Sequence, residues 1–126
     1  MKRTEHGLSV GIRRIDGEFF LRLEVLGKLS HEDYQVLVPM LESAIKGIAN
    51  PSIKVLVECR YFEGWEPRAA WDDFKLGVKH RKDFKKIAIV GDQPWEKAVA
   101  KIGSWFIDGE MMFFEDVKPA LAWLEV

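Results

Sequence analysis

Few residues in this chain are spaced for chemistry. His80 and Asp83 are three residues apart, close enough on a helical turn to act as an acid–base pair. The competing reading is a structural histidine that bonds a helix-end carbonyl. Cys59 closes an apolar run with no histidine near it in sequence. Burial raises a thiol's pKa, so Cys59 reads as a small core residue rather than a nucleophile. His6, His31 and His80 are scattered and there is a single cysteine, so metal-ligand spacing is absent. Gly91-Asp92 lacks the glycine pattern and the following Lys-Ser/Thr of a phosphate loop. No catalytic residue, metal or cofactor is expected from these patterns.

The aromatic side chains offer more. The loop at residues 60–67, RYFEGWEP, follows the apolar run and carries Phe62 and Trp65. Trp71, Trp95 and Trp105 come later in the chain. Together they could line an apolar pocket, with Glu58, Arg60 and Asp92 as its few polar groups. The expected ligand-binding set is Phe62, Trp65, Trp71, Arg60, Asp92, Trp95 and Trp105. Amphipathic spacing alone also accounts for Trp71, Trp95 and Phe106, as residues packing helices on a sheet. Trp65 lies in a loop, where core packing does not require a large ring. It is read as a binding residue or as a plug over the core.

Lys79, Arg81, Lys82, Lys85 and Lys86, with His80, form a basic cluster. It could touch anionic lipid headgroups, which is the most membrane contact expected of this chain. The alternative is a solvated helix end whose cations complement the dipole.

These residues depend on elements that can be read from the periodicity. Leu8, Val10 and Ile12 alternate with polar neighbours, as do Phe19, Leu21, Leu23 and Val25. Asp16-Gly17 between them is a two-residue hairpin signal, and Gly27 is expected to end the second strand. Ser30 caps a helix with Glu32 and Asp33 in its first turn. Tyr34, Leu37, Leu41, Ile45 and Ile48 continue it, with a kink or a short first segment expected at Pro39. Residues 53–59, IKVLVEC, form a strand buried on both faces. Pro67 starts the next helix, with Ala70, Trp71, Phe74, Val78 and Arg81 on one face. Residues 87–90 form a second buried strand, Gly91-Asp92 turns the chain, and Pro94 opens a helix carrying Trp95, Val99, Ile102 and Phe106 on one side. Residues 111–114 make a last strand, and Asp116 caps a final helix. The expected order is β-β-α-β-α-β-α-β-α, an α/β fold with a mixed sheet that is mainly parallel from the third strand on. In such sheets ligands are met at the carboxyl ends of the strands.

The chain has 126 residues, enough for one domain over 1–126 and for a core that needs no disulfide. A formal net charge of −1 argues against a nucleic-acid binder. The lone cysteine suits a reducing compartment. Neither a signal peptide nor an apolar run long enough to span a membrane is visible, so a cytoplasmic location is expected.

The order of elements resembles the STAS fold of anti-sigma-factor antagonists, and the second half resembles the SpoIIAA-like family of small bacterial proteins, also described as STAS/SEC14 domain proteins. The resemblance rests on residues 62–102. It is carried by Gly64-Trp65, Trp71, Asp73, Lys75, His80, Asp83-Phe84, Ile87-Ala88, Val90-Gly91-Asp92 and Trp95. Phe114 and Ala122-Trp123-Leu124 fit as well, while the first third matches by layout only. Kinship to lipid-carrying SEC14 domains implies binding of non-polar molecules. STAS antagonists switch by phosphorylation of a Ser or Thr after the central strand, but residues 53–103 contain neither. The expectation is therefore a non-enzymatic binding module for a small non-polar or lipid-like ligand. The alternative is a phosphorylation-independent protein–protein adaptor or a homodimer that uses the same aromatic surface.

Overall fold

Leu56 and Ala88 have no accessible surface. They lie side by side on adjacent parallel strands, in the middle of the sheet. The computed structural model describes residues 7–15, 18–59 and 62–125. Its elements are β1 (Gly7–Ile15), β2 (Glu18–Leu29), α1 (His31–Ile45), β3 (Ser52–Glu58), β4 (Phe62–Trp65), α2 (Pro67–Lys79), β5 (Phe84–Val90), α3 (Pro94–Gly103), β6 (Glu110–Phe114) and α4 (Val117–Glu125). The order expected from the sequence is realised, with β4 as an additional short strand. The sheet runs β1-β2-β3-β5-β6, with β4 paired to β2 off this path. Only β1 and β2 are antiparallel; the other pairings are parallel. The expected turn at Asp16-Gly17 lies outside the described residues.

Strand alternation divides the core into two layers. Leu56, Ala88 and Val90 point to one face, where Ala120 and Leu124 of α4 cover them. Phe19, Leu21, Val25, Ile53 and Val55 point to the other, together with Tyr34, Leu37 and Leu41 of α1 and Ala69 and Leu76 of α2. This second face carries the functional space.

β2 continues past Gly27, where the sequence reading ends it. Gly27 has a φ of 70° and the pairing with β4 shifts register between Gly27 and Lys28. A positive φ is cheap only for glycine, so the strand bends at this residue instead of ending. Its last residues pair with β4, so the loop expected at Phe62 and Trp65 is strand.

Ser30 caps α1 as expected: its backbone N–H donates to Asp33 Oδ2 at 2.8 Å, in a reciprocal capping box. α1 is one uninterrupted helix through Pro39. Gln35 and Pro39 are both exposed, so water can satisfy the carbonyl that proline leaves unbonded.

The buried face of α2 is not the aromatic face. Ala69, Leu76 and the capping residue His80 are buried, whereas Trp71, Phe74 and Val78 are exposed. His80 bonds carboxylates rather than a helix-end carbonyl. Nδ1 faces Asp83 Oδ2 at 3.0 Å and Nε2 faces Glu42 Oε2 at 3.2 Å. The bridge ties the end of α2 to α1. Lys79 joins the same Glu42, and its ammonium and His80 hold that carboxylate below the usual range.

Arg81, Lys85 and Lys86 also have local partners. Arg81 pairs with Asp108 at 3.3 Å, Lys85 donates to the Lys82 carbonyl at 3.1 Å, and Lys86 donates to the Trp123 carbonyl at 2.9 Å.

Candidate functional site

The functional space lies between the sheet and the helices on its second face. Val57 and Ile89 are inward-facing strand residues that no helix side chain fully covers. Above them is a cavity of about 350 Å³, within the range of small-molecule sites. Its floor is Leu21, Leu23 and Val25 of β2, Val55 and Val57 of β3, Ile87 and Ile89 of β5, and Met111 of β6. Its roof comes from α1 (Tyr34, Leu37, Leu41), α2 (Asp73, Phe74, Leu76, Gly77) and α3 (Trp95, Val99, Ile102). The cavity therefore spreads across the sheet face and is not confined to the carboxyl edge.

The aromatic corner is built by β4. The bend at Gly27 brings β4 beside the end of β2, and Gly64, at φ 99°, lets the short strand turn toward α3. Phe62 then meets Trp65 edge-on, with centroids 5.0 Å apart, and meets Trp95 at 5.4 Å. Trp65 and Trp95 are 6.3 Å apart. These geometries are favourable for aromatic pairs.

A polar relay enters the apolar space from α2. Trp65 Nε1–H donates to the Tyr34 hydroxyl at 2.8 Å, and that hydroxyl donates to Asp73 Oδ1 at 2.7 Å. Burial and the Asp73 carboxylate push the Tyr34 phenol far above its ordinary value. Asp73 is on the inward stripe of α2, between Ala69 and Leu76, yet it retains substantial accessible area. Part of the cavity lining is contributed by Asp73. Burial accordingly raises the Asp73 carboxyl, while the hydrogen bond from Tyr34 opposes the rise. Tyr34→Phe strips the acceptor from Trp65 and the donor from Asp73. It is expected to lower stability by about 2 kcal/mol in denaturant unfolding.

At the other end stands Glu96, with only 2% of its surface exposed. Its Oε1 accepts from the backbone N–H of Gln93 at 3.0 Å and of Asp92 at 3.2 Å, at the positive end of α3. Gly91 makes this approach possible, since a Cβ there would sit 2.3 Å from Oε1. Burial and the nearby Glu96 carboxylate hold the Cys59 thiol well above its usual range. Native Cys59 is therefore expected to react with a soluble disulfide reagent at least about 100-fold more slowly than in the denatured chain, as read from the thionitrobenzoate release rate.

Of the residues expected from the sequence, Phe62, Trp65 and Trp95 line the cavity. Trp71 and Trp105 do not; they are 58% and 70% exposed. Trp71 stacks on Phe74, and Phe74 meets Phe106 edge-on at 5.2 Å, so these rings form an exposed apolar face that borders the cavity at Phe74 and Phe106. Asp92 accepts from the Gln93 side chain at 3.2 Å and does not line the cavity. Arg60 lies outside the described residues. Tyr34, Asp73 and Glu96 were missed as polar members of the site. Asp73 carried a signal, a charge on a stripe otherwise made of Ala69, Leu76 and Gly77. Among the described residues no cluster of His, Cys, Asp and Glu could hold a metal ion, and no helix is long and apolar enough to cross a membrane.

This arrangement of strands and helices is shared with known proteins. A Shewanella loihica protein of the DUF3478 family, with a SpoIIAA-like fold, is 44% identical. The match covers 98% of each chain with a TM-score of 0.84. The anti-sigma factor antagonist SpoIIAA in its unphosphorylated form shares the fold at 10% identity and a TM-score of 0.58, over 93% of this chain and 98% of its own. No curated protein matches the chain. The SpoIIAA-like family pattern matches residues 20–125, and the chain belongs to the SpoIIAA-like family.

Proposed function

We propose that this protein is a non-enzymatic module that binds a small non-polar or lipid-like molecule in the cavity above β3 and β5. The observation that carries the reading is the cavity itself, about 350 Å³ and lined almost wholly by aliphatic and aromatic side chains. A close-packed domain of this size does not keep such a volume between sheet and helices without cost. The polar groups that line it are few, as ligand sites require. The test is native mass spectrometry on protein purified without detergent, followed by solvent extraction. A reproducible mass excess that partitions into organic solvent is expected.

A second reading has its own observation. Trp71, Phe74 and Phe106 form a run of contacting, exposed rings from α2 to the segment after α3, where Trp105 is exposed as well. Such a surface suits a regulatory domain that docks another protein, or a second copy of this chain, without phosphorylation. A clean apoprotein mass, seen as a dimer, would favour this reading over the first.

A further inference from the structure

The charged side chains that line the cavity, Asp73 and Glu96, are both acidic. No Lys, Arg or His lines it among the described residues. Glu96 Oε2 is buried and meets no N–H or O–H donor, with only the weakly donating Cys59 thiol beside this carboxylate, although Oε1 is engaged by two backbone N–H groups. An unpaired carboxylate oxygen in an apolar enclosure is costly, and a donor brought to it recovers that cost. On α2, Asp73 uses Oδ1 to accept from Tyr34, remains accessible, and is among the residues that line the same cavity. Both groups can only accept hydrogen bonds while ionised. Close by, the rings of Phe62, Trp65 and Trp95 offer the kind of π-surface that attracts cations.

We infer that the cavity selects a single-chain amphiphile whose polar end donates hydrogen bonds, an alkyl amine or alcohol, and discriminates against one that ends in a carboxylate. The inference rests on the binding reading above and specifies its ligand. An amine or hydroxyl end meets the Asp73 carboxylate, or Glu96 once the side chains packed over Oε2 give way, while its chain lies along Leu23, Val57 and Ile89. A carboxylate end meets like charge in a region of low dielectric. To enter as a donor it must first be protonated, which at neutral pH lowers its affinity.

The test is competition against N-phenyl-1-naphthylamine, an uncharged dye that fluoresces in apolar sites, using 1-decanol, decylamine and decanoate at neutral pH. In the unmodified protein, 1-decanol and decylamine should displace the dye at concentrations about tenfold lower than decanoate. In the double variant Asp73→Asn with Glu96→Gln, decylamine should lose about that factor and decanoate should gain. Both substitutions keep the oxygen that accepts from Tyr34 or from the backbone, so the fold is retained. The ranking in the unmodified protein needs no variant at all. Decanoate binding as well as decylamine overturns the inference while leaving the cavity reading intact. An unchanged preference for decylamine in the double variant also overturns it. If the dye does not bind at all, the cavity reading falls and the inference falls with it.

Discussion

Val57→Trp is expected to weaken binding of N-phenyl-1-naphthylamine by about 100-fold, ~2.7 kcal/mol, while the protein stays folded. Val57 is at the centre of the cavity floor, flanked in register by Leu23 on β2 and Ile89 on β5. Strand alternation sends its side chain away from α4 and toward α1, α2 and α3. An indole at this position occupies the volume that a ligand would otherwise take. Two effects on stability then oppose each other. Filling a void restores dispersion contacts that its lining lacks, at about 24 cal/mol per Å³ of cavity removed. Any misfit costs about 1–3 kcal/mol through displaced rotamers. Their near cancellation predicts a thermal midpoint within about 4 °C of the parent. Val57→Ala, which widens the space, is the control and should still bind the dye. Fluorescence titration and a circular dichroism melt decide the matter together. A folded Val57→Trp protein that binds the dye normally would remove the cavity from consideration and leave the exposed rings of Trp71, Phe74 and Phe106 as the apolar site.

How legible this site was depends on which physical rule each element obeys. The central strands obey burial alone: Val55, Leu56 and Val57 are apolar on successive positions because both faces are covered, and the run is readable as such. Ser30, Pro67 and Pro94 mark helix starts through local hydrogen bonding and ring geometry, which need no tertiary context. α2 obeys a different rule. Hydrophobic periodicity assigns Trp71, Phe74 and Val78 to the core because they are the large apolar residues. The helix instead turns Ala69, Asp73, Leu76 and Gly77 toward the sheet, because what it faces is partly cavity and a polar relay rather than a packed layer. β4 was illegible for another reason. It exists through backbone pairing with a strand end that Gly27 re-aims, and a four-residue segment with two aromatics reads equally well as loop. Tyr34 and Glu96 escaped because each also fills an ordinary local role, one on the apolar face of α1 and one as an acid near a helix start. Their cavity role depends on partners far away in sequence.

Gly109→Ala is expected to destabilise the protein by about 3 kcal/mol, near the upper end for overpacking, and to lower the thermal midpoint by about 10 °C. A Cβ at this position would lie 2.3 Å from the carbonyl oxygens of both Phe84 and Lys85, and 2.7 Å from the Lys85 carbonyl carbon. These are backbone atoms, so no rotamer change relieves the clash. Nor can Gly109 retreat easily. On one side the Asp108 N–H donates to the Arg81 carbonyl at 2.9 Å; on the other, Glu110 starts the pairing of β6 with β5 at Lys86. Relief must separate the start of β6 from β5, loosening Met111 at the cavity floor as well. Gly103→Ala gives a graded comparison. There the Cβ meets Met111 Sδ at 2.7 Å, the flexible part of a methionine, so the cost should stay near ~1 kcal/mol. Gly77→Ala should have the opposite sign. Gly77 lies within α2 and lines the cavity, and nothing comes within 4 Å of an added Cβ. Alanine there gains about 1 kcal/mol of helix propensity without a clash. The order Gly77→Ala, parent, Gly103→Ala, Gly109→Ala in melting temperature follows from one question asked at each site: whether the new methyl meets open cavity, a movable side chain or fixed backbone. A Gly109→Ala protein that melts with the parent would show that β5 and β6 separate at this end without cost. A destabilised Gly77→Ala protein would show that α2 sits closer to the sheet than a cavity of this size allows.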